Sequence, residues 1–283
     1  MKKFLSHRLR GFDKCEHSYK AIVKACQTKL SYLEIDTRVS LDGKIFVYHD
    51  ESFKTDKNKK IVINKTLSKE IQSVNHSCGY KLLLFEELLI IFSRRVYKEQ
   101  KLCIDIKDYG FEQLHFDLVK KYNLEKHIIW ISWIPQTLIK LHKINPQIPK
   151  ILSYINLINF KFLGKLLEKI HIFKIPFSNF VLIGKAYYNQ DLKQKYVGYQ
   201  HAYLAQTLPN DLIEILSKSA GGICIQKRFL SKKVINYCQD NNLLLCIFSV
   251  ETLKEYKYYS KQAVDIIFVD KSNFIKQIET ETY

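Results

Sequence analysis

The sequence predicts an α/β protein that folds as a (β/α)8 TIM barrel, and three observations lead to this fold class. Short apolar runs alternate with segments of helical periodicity along the chain, which indicates a mostly parallel sheet. About eight strand–helix repeats fit within the 283 residues, as a barrel of this type requires. Neither GxGxxG nor GxxxxGK(S/T) occurs, so the phosphate loops of the nucleotide-binding α/β folds are missing.

The predicted elements follow one another in strand–helix order. Leu41, Asp42 and Gly43 form a turn after the second strand, and Pro135 lies where the first turn of a helix needs no N–H donor. We expect strands at 4–8, 32–40, 44–49, 101–106, 127–132, 150–154, 222–226, 243–250 and 264–269. We expect helices at 16–28, 81–97, 111–122, 135–144, 211–219, 230–241 and 253–261, with a helix-like segment at 163–170.

Two segments depart from this rhythm inside what we expect to be a single domain, 1–283. Residues 51–81 are polar and irregular, and they are predicted to be a small insertion after the second strand. Residues 156–209 are aromatic and basic, and they are predicted to be a divergent, extended connection whose contact with an anionic surface stays an open alternative.

The chain is strongly basic, since 45 Lys and Arg against 28 Asp and Glu give a formal charge of +17. Lysines are spread along the chain while Gly and Pro are scarce, which favours compositional drift over a dedicated binding surface. No nucleic-acid-binding motif occurs, so a nucleic-acid partner is not expected.

The cysteines and the N-terminus predict a cytoplasmic protein. Seven cysteines without a CxxC pair indicate buried free thiols in a reducing compartment. No apolar leader follows Met1. The longest apolar run, 82–92, is interrupted by Glu86 and Glu87 and is too short to span a bilayer.

Polar residues recur where the predicted strands end, which is where TIM barrels build their sites. Residues two apart in a strand share a face, so each Glu-x-Asp or Asp-x-Lys pair should point the same way. A single pair of this kind is more often a salt-bridged strand surface than a catalytic site, and a lone histidine is more often part of the core. Four such stretches at strand ends together predict a site. They are His7-Arg8, Glu34-x-Asp36, His49-Asp50 and Asp105-x-Lys107.

These residue types fit phosphodiester cleavage. Two carboxylates about 4 Å apart repel by about 4 kcal/mol at an effective dielectric of about 20. Without a cation, at least one of Glu34, Asp36 and Asp105 should therefore hold a proton, and a divalent ion would remove the repulsion. Oxygen ligands favour Mg²⁺ or Ca²⁺ over zinc. The two histidines are candidates for general acid and general base, and the neighbouring Arg and Lys for phosphate contacts.

Several stretches resemble the glycerophosphodiester phosphodiesterase family, specifically so in residues 6–53. They are SHRLRGFDKCEHSYKAI, YLEIDTRVSLDGKIFVYHDESF, LCIDIKD, AGGICIQKRFLSKKVINYCQDNNLLLCIFSVETLKEY and VDIIFVDKSNF. The resemblance implies a TIM barrel with a small insertion and divalent-metal hydrolysis of a glycerophosphodiester to glycerol 3-phosphate and an alcohol, through a cyclic phosphate. The substrate partner is then a small-molecule or lipid-derived phosphodiester. It implies His7 and His49 as acid–base pair, Glu34, Asp36 and Asp105 as ligands of Mg²⁺, Ca²⁺ or Mn²⁺, and Arg8, Lys107, Glu16 and Phe248 as substrate-binding residues.

The chain departs from the family's pattern at several positions. The family's HRG is HRL here, with the glycine displaced to Gly11, and its Pro and Asn are replaced by Cys15 and His17. Asp105 is one methylene shorter than the family's Glu, and Phe248 stands in place of Trp. A barrel that binds anionic phosphodiesters or lipid headgroups without turnover, or a lyase that stops at the cyclic phosphate, therefore stays an alternative.

Overall fold

Eight parallel strands close into a barrel in the computed structural model, which confirms the predicted fold class. The structure describes residues 3–28, 30–95, 99–156, 181–183, 186–189, 194–197, 202–205 and 207–270. The strands are β1 (Lys3–Ser6), β2 (Tyr32–Val39), β3 (Ile45–Val47), β4 (Ser52–Lys54), β5 (Lys60–Val62), β6 (Lys101–Ile106), β7 (Ile128–Ser132), β8 (Lys150–Ser153), β9 (Ile155–Asn156), β10 (Val181–Ile183), β11 (Ala186–Asn189), β12 (Gln194–Val197), β13 (Ala202–Ala205), β14 (Gly222–Gln226), β15 (Leu244–Val250) and β16 (Ile266–Val269).

The barrel runs in the order β1, β2, β6, β7, β8, β14, β15 and β16, and β16 pairs with β1 to close it. β3 adds to the end of β2 as an antiparallel strand. The α-helices of the described residues are α1 (Tyr19–Cys26), α2 (Ser68–Ser73), α3 (Phe85–Ser93), α4 (Glu112–Lys121), α5 (Pro135–Ile144), α6 (Asn210–Lys218), α7 (Lys232–Asp240) and α8 (Leu253–Tyr259).

Alternation along the strands separates two apolar cores. One set of side chains packs against the helices, and the other fills the barrel interior. The interior set is Leu5, Tyr32, Cys103, Ile129, Ile131, Ile151, Cys224, Cys246, Ile266 and Phe268. On β2 the same inward face continues from Tyr32 to Glu34 and Asp36, so polar groups lie above an apolar floor at the carboxyl ends of the strands.

The helix boundaries follow local capping. The Ser18 hydroxyl accepts from the Ala21 N–H at 3.1 Å, so α1 begins three residues later than predicted. Ser231 and Thr252 cap α7 and α8 in the same way. Pro135 opens α5 as expected.

The structure corrects two local predictions. The first strand ends at Ser6, and His7–Leu9 form a 3-10 turn in which Arg8 and Leu9 have φ of 54° and 52°. The segment 51–81 is not irregular. It contains the antiparallel pair β4–β5, a short 3-10 turn and α2. These elements pack around a separate apolar cluster to which the segment gives Phe53, Ile61, Ile63 and Ile71, and the flanking chain gives Phe46, Tyr48 and Leu82.

Other predictions concern the rest of the chain. The helix-like segment 163–170 and most of the connection 156–209 lie outside the described residues. Six cysteines are buried free thiols as predicted, whereas Cys78 is exposed. Across the described ranges, no helix has both the length and the apolar character needed to cross a bilayer.

Candidate active site

Three carboxylates converge inside the barrel mouth. Glu34 and Asp36 come from the inward face of β2, and Asp105 lies opposite Asp36 on the neighbouring strand β6. All three are buried, and one ligand atom from each lies within 4.8 Å of the other two. The three carboxylates that the sequence spacing predicted to converge therefore do lie together in the barrel.

Burial and mutual repulsion make this trio unfavourable on its own. Burial, with repulsion from Asp36 and Asp105, raises the pKa of Glu34 well above its usual value. Burial also raises the pKa of Asp105, despite the nearby Lys107. Burial opposes ionisation of Asp36 too, but the charge of Lys107 holds its pKa well below the usual value.

The trio suits a divalent cation by its donor chemistry. Asp105 Oδ1 is buried and has no hydrogen-bond partner among the described residues. Three oxygen donors of this kind are what Mg²⁺ and Ca²⁺ prefer, and a cation would relieve the repulsion that raises the Glu34 pKa. The residues therefore fit a hard metal ion.

Lys107 compensates part of the negative charge. It follows β6 on the inward face and is 3% exposed. Its Nζ lies 2.9 Å from Asp36 Oδ1 and also forms an ion pair with Asp105. Lys107, which was predicted to contact phosphate, therefore forms ion pairs with two of the predicted metal ligands.

His7 reaches the trio from the turn that follows β1. Its Nδ1 bonds to the Asp270 carboxylate, and its Nε2 lies 3.9 Å from Glu34 Oε2. Because Arg8 adopts a left-handed conformation, its backbone N–H donates to Glu34 Oε2 at 2.7 Å. The turn therefore fixes both the histidine and the first carboxylate.

His49 enters from the segment after β3. Its Nδ1 bonds to Asp50 Oδ1 at 2.7 Å, and its Nε2 accepts from the Arg8 guanidinium. Burial, together with the charges of Lys107 and Arg8, lowers the pKa of His49 to about 4, although Asp36 acts in the opposite direction. The imidazole is therefore uncharged near neutral pH.

A buried ion pair holds the His49 backbone. Arg38 Nη1 lies 2.9 Å from Asp108 Oδ1, and both side chains are 2% exposed. Arg38 Nε donates to the His49 carbonyl at 3.0 Å, while the Val39 N–H donates to Asp108 Oδ2 at 2.9 Å. This pair ties the end of β2 to the second histidine.

Glu16 forms ion pairs with Arg8 and Arg10 at the rim of the barrel. It lies 3.6 Å from Arg8 Nη1 and accepts from Arg10 Nε at 2.7 Å. Arg10 Nη1 also lies 3.4 Å from Asp270 Oδ1. The half-buried Glu16 is thus part of the site, in contact with the predicted phosphate-binding Arg8.

Phe248 lines the opposite side of the mouth. It lies near the end of β15, next to a bulge where Ser249 has φ of 68°. Its ring meets Trp133 edge-on with centroids 5.9 Å apart. Since Trp133 follows β7, the contact reaches over the two intervening strands and forms an aromatic wall.

The structure brings the predicted residues of the acidic trio, both histidines, Arg8, Lys107 and Glu16 together, and it places Phe248 on the wall of the mouth. Sequence reasoning missed several of their partners, although inward alternation on β16 could have found the first. They are Asp270, Arg10, Arg38, Asp108, His17 and Trp133, whereas Asp50 was predicted together with His49.

Comparison with known proteins gives the same fold and a family. A family model described as "Glycerophosphoryl diester phosphodiesterase family" matches residues 5–273. The glycerophosphodiester phosphodiesterase of Agrobacterium tumefaciens str. C58 has a TM-score of 0.65 at 16% identity, covering 98% of this chain and 100% of that one. A phosphodiesterase of Oleispira antarctica, solved with the product sn-glycerol-3-phosphate, has a TM-score of 0.65 at 15% identity, covering 98% and 96%.

A curated relative is more similar in sequence over a shorter stretch. Uncharacterized protein YqiK of Bacillus subtilis strain 168 is 25% identical over 162 residues. The alignment includes 53% of this chain and spans 65% of the length of that relative.

Proposed function

This chain belongs to the glycerophosphoryl diester phosphodiesterase family, and from that premise we propose that it hydrolyses a glycerophosphodiester to glycerol 3-phosphate and an alcohol in a reaction that depends on a divalent cation. The observation that carries the proposal is the buried trio of Glu34, Asp36 and Asp105, placed beside two histidines that come from different parts of the barrel mouth.

The trio would hold Mg²⁺ or Ca²⁺, with Mn²⁺ as a third candidate. When bound, such an ion supplies positive charge to the phosphoryl oxygens and to the attacking hydroxyl. Arg8 and Lys107 add fixed positive charge at the same rim, where they can bind the phosphate. Glu16 orients Arg8 for this contact.

His7 and His49 transfer the protons in the proposed reaction. In each, a carboxylate bonds to Nδ1 and Nε2 faces the site, where Nε2 of His49 accepts from the Arg8 guanidinium. In the proposed reaction the glycerol 2-hydroxyl attacks phosphorus, one imidazole accepts its proton, and the other protonates the leaving alcohol oxygen. Water then opens the cyclic phosphate to glycerol 3-phosphate.

The alcohol portion of the substrate would lie against the aromatic wall. Phe248 and Trp133 present ring surface there without a charged group of their own. An aromatic wall contributes apolar contact and accepts a cationic group equally well. A small phosphodiester and a lipid-derived one both remain within this substrate class.

Product analysis tests the proposal. Glycerophosphodiesters with different alcohols, and lipid diesters, are incubated with Mg²⁺, Ca²⁺ or Mn²⁺ and either the wild-type protein or His7→Ala. We expect glycerol 3-phosphate and alcohol from the wild type alone, and loss of activity with a chelator. Cyclic phosphate as the end product would indicate a lyase, and no release from any diester would contradict the proposal.

An activated leaving group separates the roles of the two histidines. A glycerophosphodiester of p-nitrophenol needs no proton on its leaving oxygen, so the variant that lacks the general acid should recover most of its rate. We expect recovery in only one of His7→Ala and His49→Ala. Equal loss in both with this substrate would contradict the assignment of separate acid and base.

A further inference from the structure

His17 is a fully buried histidine beside the acidic trio. Its side chain is 0% exposed, and neither ring nitrogen has a hydrogen-bond partner among the described residues. A buried polar group left unpaired costs about 1–3 kcal/mol. The backbone of His17 is also in the left-handed region, with φ of 58°. Two unfavourable features at one residue next to a site indicate a functional constraint.

One nitrogen of this ring points to a predicted metal ligand. His17 Nε2 lies 3.5 Å from Asp36 Oδ2. The other carboxylate oxygen, Oδ1, faces Lys107 at 2.9 Å. Asp36 therefore has a nitrogen donor beside each of its oxygens, and the donor at Oδ2 is fixed by burial.

The chain around His17 is rigidly placed. The adjacent Ser18 caps α1 through the Ala21 N–H and donates its own hydroxyl hydrogen to Asp13 Oδ2 at 2.7 Å. These bonds fix the backbone immediately after His17. By contrast, Arg8 Nε, which also lies 3.5 Å from Asp36 Oδ2, belongs to a longer side chain that is shared with Glu16 and His49.

We propose that His17 is a positioning residue whose Nε2–H, now 3.5 Å from Asp36 Oδ2, donates to that oxygen when the divalent cation is bound and so fixes the orientation in which Asp36 ligates it. The inference rests on the metal-dependent function proposed above. Partners that orient a ligating carboxylate usually change metal affinity by about 10- to 100-fold.

A matched pair of substitutions isolates the donor. Gln and Met have similar length and the same conformational penalty at φ of 58°, but only Gln offers an N–H at the reach of Nε2. Mn²⁺ binding to the full chain is measured by calorimetry and by the electron paramagnetic resonance of free Mn²⁺. We expect His17→Met to weaken Mn²⁺ binding by about 10- to 100-fold and His17→Gln to stay within about threefold of wild type.

Two further variants keep the test decisive. His17→Gly adopts positive φ without strain and also lacks the donor, so it replaces His17→Met if that variant does not fold. His142→Met is the control, because His142 on α5 also has a buried nitrogen without a hydrogen-bond partner in the described part of the chain, and α5 lies away from the trio. We expect His142→Met to bind Mn²⁺ as the wild type does.

The outcomes separate this inference from the proposed function. If the wild type neither binds Mn²⁺ nor hydrolyses a glycerophosphodiester, the proposed function fails. If the wild type does both and folded His17→Met or His17→Gly binds Mn²⁺ equally well, only the role of His17 is overturned. The same follows if His17→Gln is as weak as His17→Met.

Discussion

The buried ion pair between Arg38 and Asp108 should contribute strongly to the free energy of unfolding, because it also holds the backbone at His49. In Arg38→Met, Asp108 loses its only ion-pair partner among the described residues while staying 2% exposed, and the His49 carbonyl loses the Arg38 Nε donor. Breaking a buried pair on one side costs about 3–5 kcal/mol, because an uncompensated charge is left in the core. We therefore expect the free energy of unfolding to fall by about that amount at neutral pH.

The penalty should depend on pH in a defined direction. Burial already raises the pKa of Asp108 in the wild type, while Arg38 opposes that rise. Without Arg38 the folded-state pKa rises further above the unfolded value, so the folded variant binds a proton more tightly than the unfolded chain. Its destabilisation is complete above the folded pKa and shrinks as the pH falls through it.

Urea unfolding at pH 7 and pH 5 measures both effects, with wild type compared at each pH. The double variant Arg38→Met/Asp108→Asn removes the stranded charge and should recover much of the loss at pH 7. A loss below about 1 kcal/mol at pH 7, or an equal loss in the single and double variants, would refute the reasoning.

Three other predictions concern the site and the exposed cysteine. Asp270→Asn should lower kcat by about 10²- to 10⁴-fold with little change in Tm, because the carboxylate that holds His7 Nδ1 is lost. Steady-state kinetics with His7→Ala as the reference measure this effect, and an unchanged kcat would count against the pairing. A divalent cation at about 100 times its Kd should raise the free energy of unfolding by about 2.7 kcal/mol, and this gain should vanish in Glu34→Gln. Thermal unfolding with Mg²⁺, Ca²⁺ and Mn²⁺ measures the gain, and equal shifts in the wild type and the variant would contradict binding at the trio. In a short pulse of iodoacetamide, Cys78 should be alkylated first, because it is exposed whereas burial raises the pKa of the neighbouring Cys15 to about 11. Peptide mass spectrometry measures the order of labelling, and early labelling of Cys15 would contradict the prediction.

Strand periodicity predicted the part of the site that depends only on alternation. Glu34 with Asp36, and Asp105 with Lys107, share the inward face because side chains repeat every two residues in a strand. Parallel pairing of β2 with β6 then sets Asp36 opposite Asp105, so the acidic trio could be expected from the sequence. The same rule extended by one step along β16 would have given Asp270.

Contacts across the loops could not be predicted in this way. Alternation places Arg38 on the same face of β2 as Glu34 and Asp36, but its pairing with Asp108 depends on how the segment after β6 folds back. His17 lies beside Asp36 only because Ser18 begins α1 and the chain before it takes a left-handed turn. Periodicity says nothing about such turns, since they depend on the tertiary contacts that hold them.

The first turn shows how the site tolerates its largest departure from the family's pattern. Arg8 and Leu9 both take positive φ, which costs about 1–2 kcal/mol for each side-chain-bearing residue. Two contacts offset that cost: the Arg8 N–H donates to Glu34, and Leu9 is buried to 2% exposure in the main core. The glycine moved to Gly11, with φ of 102°, relaxes the turn two residues later. The substitution therefore changes what stabilises the turn while His7 still reaches the trio, and this is why the altered motif is compatible with an active site.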